Sequence, residues 1–374
     1  MNNQYNILFQ NFTFRSGITV NNRISMAPMT TWSGQEDGSV SEAELTYYQT
    51  RAKGLGMVIT AAAYVMPEGK GFPGQIGTHT DAMIPSLKRL ATTIQGQGAK
   101  AVLQIHHGGR MSPPEVVPNQ QPVSASAVAA ARPNAPVPRE LSEKEIVATI
   151  TAFGDATRRA IEAGFDGVEI HGANTYLVQQ FFSPHSNRRQ DSWGGSVEKR
   201  MTFPLALVDE IIGKVRQYAK RPFLVGYRFS PEEIENPGIT MTDTFQLVDA
   251  LANKPLDYLH VSTNDFWAGS LRDKSDIRSR ILLIQERVGK QIPVMGVGSI
   301  RTAAEALKVL QTGVPLLAIG RELLMEPDWV HKVQHGEENS IRTTLSRKDQ
   351  QILRLPDGLW KMLMTIEGWL PVVP

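Results

Sequence analysis

Three side chains able to do chemistry follow directly on a buried-looking run. In EIHGANTYLVQQFF, residues 169–182, the apolar Val168 and Ile170 give way to His171, Asn174 and Tyr176 within six residues. A turn needs none of these groups, because Gly172 alone would serve. An imidazole, a carboxamide and a phenol at one strand end point to a ligand, provided the fold brings that end to a pocket. A metal is a poor candidate, since H-x-x-N offers one good ligand and no thiol or carboxylate follows at ligand spacing.

Other residues suggest what that ligand carries. Gly296-Val297-Gly298-Ser299 and Gly320-Arg321 each close a short apolar run. Such turns present backbone N–H groups to an anion, and Arg321 adds a cation suited to paired phosphate oxygens. Arg228, inside FLVGYRFS, is costly to bury unless something negative pairs with it. It would stabilise the anion formed when a ring is reduced. Gln104 supplies an amide within another apolar run. Phosphate contacts, an amide for a polar ring and one cation together describe flavin mononucleotide, FMN.

These residues need a scaffold that gathers strand ends. Short, nearly continuous apolar runs alternate with helical patterns, as strands covered on both faces should. The strand candidates are 23–29, 56–65, 100–107, 166–172, 223–230, 258–263, 293–299 and 316–322. Ser41 with Glu44 and Ser142 with Glu145 read as capping boxes opening helices, and Gly313 as a helix stop. Eight strand–helix units fit an α/β fold of the (β/α)8 TIM-barrel type, whose catalytic residues lie at the strand C-termini. At those ends stand Thr30 and Trp32, Ala62, Gln104 and His107, His171, Asn174 and Tyr176, Arg228, Ser299 and Arg321.

NFTFRSGITVNNR, before the first strand, reads as an N-terminal β-hairpin capping the barrel bottom. Residues 1–336 form the expected barrel, and 337–374 a C-terminal helical tail. Leu353, Leu355, Leu359, Trp360 and Met364 of that tail cover either the barrel or a neighbouring subunit in a homo-oligomer. Gly69-Lys70-Gly71-Phe72-Pro73-Gly74 matches G-x-G-x-x-G, but Pro73 interrupts it and no helix opens until about Asp81, so it reads as a loop.

Composition narrows the classes further. Lys+Arg 39 against Asp+Glu 37 gives a net charge of +2 over 374 residues, which offers no broad basic face for nucleic acid or anionic lipid. With Cys 0, disulfides, thiol nucleophiles and cysteine-ligated clusters are excluded. MNNQYNILFQNFTF lacks the features of a signal peptide, and no apolar run is long enough to span a bilayer. The expectation is a cytoplasmic enzyme acting on a small molecule.

The chain resembles the Old Yellow Enzyme family of FMN-dependent NAD(P)H oxidoreductases and ene-reductases. The likeness runs through NRISMAPMT (22–30), QIHHGGR (104–110), residues 163–200, GVGSI (296–300) and AIGREL (318–323). It implies that Pro28, Met29 and Thr30 lie beside the flavin ring, with Ala62, Gln104 and Arg228 on its polar edge. It places Gly298, Ser299, Gly320 and Arg321 at the phosphate, and Trp32 at the substrate. His171 and Asn174 would donate to a carbonyl oxygen, and Tyr176 would protonate the adjacent carbon. Hydride addition to an enone puts charge on oxygen, so two positioned donors lower that barrier and a nearby phenol completes the reduction. NADH or NADPH would reduce the FMN, and electron-poor alkenes, nitro compounds or quinones would accept the electrons. Relatives with Cys at the Thr30 position often carry Tyr two residues on, whereas this chain has Thr30 and Trp32. Two alternatives stand beside this reading: a flavin-free barrel isomerase or synthase acting on a phosphorylated substrate, and a non-catalytic flavin-binding module.

Overall fold

A computed structural model describes residues 3–373. Eight strands close into one parallel barrel: β1 (Ile24–Met26), β2 (Met57–Ile59), β3 (Lys100–His106), β4 (Gly167–Gly172), β5 (Leu224–Phe229), β6 (Tyr258–Val261), β7 (Val294–Val297) and β8 (Leu316–Ile319). β8 pairs with β1, β1 with β2 and β2 with β3, which completes the circle. Parallel neighbours need long crossovers, and helices such as Glu143–Glu162 and Thr202–Tyr218 supply them on the outside. The fold is the (β/α)8 barrel expected from the alternating pattern.

The hairpin Phe12–Thr13 and Thr19–Val20 pairs antiparallel, with Gly17 at φ 90° in its turn. Its Phe14, Ile18 and Val20 join Met57, Val102, Leu224 and Tyr258 in one apolar cluster. The amide of Ser16 donates to Asp257 Oδ1 at 2.8 Å, tying the hairpin to the start of β6. One end of the barrel is thereby closed with side chains, and chemistry is left to the other.

Two local expectations are corrected. Ser41 caps the helix Glu42–Arg51 by accepting from the amide of Glu44, but Glu44 does not reach back. Its carboxylate accepts from Thr31 Oγ1 inside the protein instead. Ser142 and Glu145 do form the reciprocal box. The run 56–65 is not one strand: it breaks after Ile59 and resumes at Ala63–Tyr64. The amide of Ala61 turns to Tyr48 Oη at 2.6 Å, which takes it out of the strand ladder.

The C-terminal tail lies on its own barrel. Leu353, Leu355 and Leu359 are buried in the main core cluster, and Trp360 and Met364 pack against it. Arg51 Nη2 donates to the carbonyl of Leu353 at 2.6 Å, anchoring the tail to the first barrel helix. Met1, Asn2 and Pro374, at the ends of the segments 1–336 and 337–374, lie outside the described residues. Among the described residues no helix is long and apolar enough to cross a membrane.

Candidate active site

Strand alternation turns every second side chain inward. The register sets Gln104 of β3 beside Glu169 of β4, and Arg228 of β5 between His171 and His260. In the buried layer, Gln104 Nε2 donates to Glu169 Oε1 at 2.7 Å. Glu169 Oε2 takes His260 Nδ1 at 2.9 Å and Tyr258 Oη at 3.1 Å. Burial would raise the Glu169 carboxyl, but His260, Arg228 and Gln104 outweigh it and hold it below the usual range. Burial also lowers the Arg228 pKa, with Glu169 opposing. A negative charge that partly offsets the burial of Arg228 is thus built into the protein at Glu169, a residue the sequence reading had not singled out.

Above this layer sit the three residues of the opening motif. The amide of Ala173 donates to His171 Nδ1 at 3.3 Å, which leaves the ring proton of the neutral form on Nε2. Burial, then the neighbouring His106 and Arg228, push His171 well below its ordinary pKa, so the ring is uncharged. Asn174 and Thr175 adopt left-handed backbone at φ 56° and 65°, a costly turn for side-chain-bearing residues. Arg228 Nη2 donates to Ser262 Oγ at 3.0 Å, and Ser262 Oγ donates to Asn174 Oδ1 at 3.0 Å. With its oxygen held this way, Asn174 has its Nδ2 group free to donate. Tyr176 stands edge-on to His171, ring centroids 5.0 Å apart. Burial raises its phenol pKa, with Arg132 opposing, so the proton stays in place at neutral pH.

At the far end of the mouth, Arg321 Nη2 donates to Ser299 Oγ at 2.7 Å and to the carbonyl of Asn264 at 3.1 Å. Ser299 adopts φ 53°, and Gly298 at φ 132° passes so close to Asp265 that a Cβ would meet its backbone at 2.7 Å. A Cβ on Gly320 would meet Met29 Sδ at 3.0 Å. One cavity joins Arg321, Ser299 and Gly320 to Arg228, Asn174 and Met29.

These residues fit FMN. A cradle without side chains and a guanidinium at one end suit a phosphate. The apolar Ala27, Met29 and Ala318 along the cavity suit a ring. Arg228, which lines the cavity, has a buried Nε without a partner in the protein, a donor that a polar ring edge would satisfy.

The remaining expected residues are placed less uniformly. Pro28 lines the same cavity, while Thr30 is half-buried just beyond it. The Ala62 carbonyl accepts from Gln75 Nε2 at 3.0 Å. Trp32, at φ 49°, leans on Phe72 at 6.0 Å. A Cβ on Gly358 would meet the Trp32 carbonyl at 2.1 Å, so the tail presses on this loop. His107 is a correction: β3 ends at His106, and it is His106 that touches His171 and Tyr176. His107 instead lines a separate cavity with Met66 and Arg139. Ser262, Asn264 and Trp369 also belong to the mouth and were missed. Ser262 follows β6 directly, the one strand end at which the sequence offers no candidate on the pattern used for the others. Trp369 comes from the tail and carried no signal.

Comparison with known proteins gives a consistent result. Residues 7–340 match the profile of the NADH:flavin oxidoreductase / NADH oxidase family. A probable NADH-dependent flavin oxidoreductase of Bacillus subtilis (strain 168) is 53% identical over 371 residues, covering 99% of both chains. An NADH:fumarate oxidoreductase of Klebsiella pneumoniae (strain 342) is 44% identical over 95% of this chain, which spans only 38% of that protein. Among solved structures, an old yellow enzyme homologue from Zymomonas mobilis superposes with a TM-score of 0.78 and 25% identity, covering 94% of this chain and 98% of that one.

Proposed function

The chain belongs to the NADH:flavin oxidoreductase / NADH oxidase family, that of Old Yellow Enzyme, and on that premise we propose that it reduces α,β-unsaturated carbonyl compounds at His171, Asn174 and Tyr176. It is an FMN-dependent oxidoreductase that draws electrons from NADH or NADPH. A flavin-free isomerase and a non-catalytic module are thereby set aside. FMN, when bound, would supply the two-electron chemistry that links NAD(P)H to the alkene.

The protein's own part is electrostatic and acid–base. Ser299, Gly298, Gly320 and Arg321 would hold the phosphate, and Arg228 the polar edge of the ring. Pro28, Met29, Thr30, Ala62 and Gln104 would frame that ring, and Trp32 would border the substrate. His171 Nε2–H and Asn174 Nδ2–H donate to the carbonyl oxygen as it gains negative charge, which lowers the barrier where charge develops. Tyr176 keeps its proton and delivers it to the carbon next to the carbonyl. Nitro compounds and quinones share the electron-poor character such a site requires.

The observation that carries the reading is the neutral His171 with its proton on Nε2, beside an Asn174 whose amide nitrogen is unoccupied. The test is anaerobic: NADH or NADPH is expected to bleach the FMN absorbance, and 2-cyclohexenone to restore it. Bleached protein that enones do not re-oxidise would refute the alkene assignment.

A further inference from the structure

We propose that His106 is a third hydrogen-bond donor of the substrate site, and that it suits the site to α,β-unsaturated carboxylates. The proposal rests on the alkene-reductase reading given above. His106 stands two residues beyond Gln104 on β3, on the same inward face, and is 0% exposed. Its ring centroid lies 4.4 Å from that of Tyr176 and 5.3 Å from that of His171.

The tautomer of His106 is set by Gln75. The amide of Gly71 donates to Gln75 Oε1 at 2.6 Å, which fixes the orientation of the Gln75 carboxamide. Gln75 Nε2 then donates to the Ala62 carbonyl and to His106 Nδ1, each at 3.0 Å. The proton of the neutral imidazole is therefore on His106 Nε2, and that atom has no partner in the protein. Burial holds the ring at a pKa of about 3, so it is a neutral donor at working pH. The loop that resembled a nucleotide fingerprint thus has a use, because Gly71 lies within it.

Three N–H donors now lie among neighbouring residues: His171 Nε2 and Asn174 Nδ2, and His106 Nε2, buried beside the rings of His171 and Tyr176. A ketone or aldehyde oxygen has two lone pairs, which His171 and Asn174 already fill. A carboxylate offers two oxygens and about four acceptor positions, enough for all three. Arg228 is the cation built into this network, joined to Asn174 through Ser262, and it favours an anion. Glu169, below, is occupied by His260, Gln104 and Tyr258. A conjugated carboxylate is a weak electron acceptor because it is already negative, so its reduction needs such an excess of donors and cations. The overall change balances as for an enone: the C=C bond gains a hydride equivalent originating in NAD(P)H and a proton from Tyr176, and the carboxylate is retained.

The test compares trans-cinnamate with trans-cinnamaldehyde, which differ only in the group to be gripped. In FMN-loaded protein, His106→Phe is expected to lower the ratio of their kcat/KM values by about tenfold or more, the worth of one charge-assisted hydrogen bond. His106→Gln, which keeps an N–H, should recover part of that ratio. An unchanged ratio in His106→Phe overturns the proposal. So does a parent enzyme that reduces the aldehyde and ignores the acid. A parent that reduces neither refutes the alkene-reductase reading itself. Should His106→Phe fail to fold, the parent decides: benzoate should perturb the flavin absorbance at a concentration about tenfold below benzaldehyde. Equal or weaker benzoate binding counts against His106.

Discussion

The amide N–H of Ala173 donates to Nδ1 of His171 at 3.3 Å, so the backbone two residues beyond the imidazole decides which ring nitrogen carries its proton. Burial and the adjacent Arg228 keep the ring neutral, which makes Nε2–H a permanent donor. Enone reduction should therefore show no limb from His171 near the ordinary histidine pKa of about 6.5. Removing the donor with His171→Ala should cost about 10²–10³ in the alkene half-reaction, as loss of one oxyanion donor does elsewhere. A pH–rate profile of the half-reaction, in parent and variant, checks both statements.

Arg321 reaches Ser299 and the Asn264 carbonyl, prearranged around the space assigned to the phosphate. Arg321→Ala should fold and bind FMN at least about tenfold more weakly, from the loss of a charge-assisted contact. Fluorescence of FMN released on dialysis reads this out. Full retention would remove Arg321 from the phosphate site.

Arg228 links to Asn174 through Ser262, so in the proposed site one cation would serve both the ring edge and the substrate donors. Arg228→Met should lower the flavin reduction potential by on the order of 30–60 mV, which is about tenfold to a hundredfold in the two-electron equilibrium. Reduction by NAD(P)H should slow with it. Spectroelectrochemical titration of the loaded variant is the measurement, and an unchanged potential would assign Arg228 a purely structural role.

Much of this arrangement was legible in the sequence because a parallel barrel encodes itself locally. Each strand is a short apolar run, several helices open on a Ser or Thr cap, and chemistry stands where a run stops. His171, Asn174, Arg228 and Arg321 were readable on that rule. What escaped it were contacts made across the barrel. Glu169 looked like one more strand residue, yet its charge partly offsets the burial of Arg228. His106 and His107 are adjacent, and only the strand register tells which of them turns toward Tyr176. Trp369 arrives from a tail whose docking depends on Arg51 and Leu353, 302 residues apart.

Glu44 was expected to complete a helix cap and is instead buried against Thr31. Burial raises its carboxyl from the usual 4.5 to about 7. A raised folded-state pKa means a contribution fully present below about 4.5 and lost as pH rises through about 7. Glu44→Gln, which stays neutral, should therefore gain on the parent as pH rises across that window, by roughly 3 kcal/mol at pH above about 8. Denaturant unfolding of both proteins at several pH values checks this. Parallel pH dependence in the two would show that Glu44 is ionised at little cost.

The most direct test of the whole account is the re-oxidation of NADH-reduced, FMN-loaded enzyme by 2-cyclohexenone, followed anaerobically by flavin absorbance in the parent and in Tyr176→Phe. Tyr176 keeps its proton through burial and stands 5.0 Å, ring to ring, from His171. The account predicts rapid re-oxidation of the parent and a loss of about 10²–10⁴ in Tyr176→Phe, the usual worth of a general acid. Re-oxidation by a quinone, which needs no proton on carbon, should be far less affected. A Tyr176→Phe variant that reduces 2-cyclohexenone at the parent rate would contradict the assignment of the proton to Tyr176 and with it the mechanism proposed for this site.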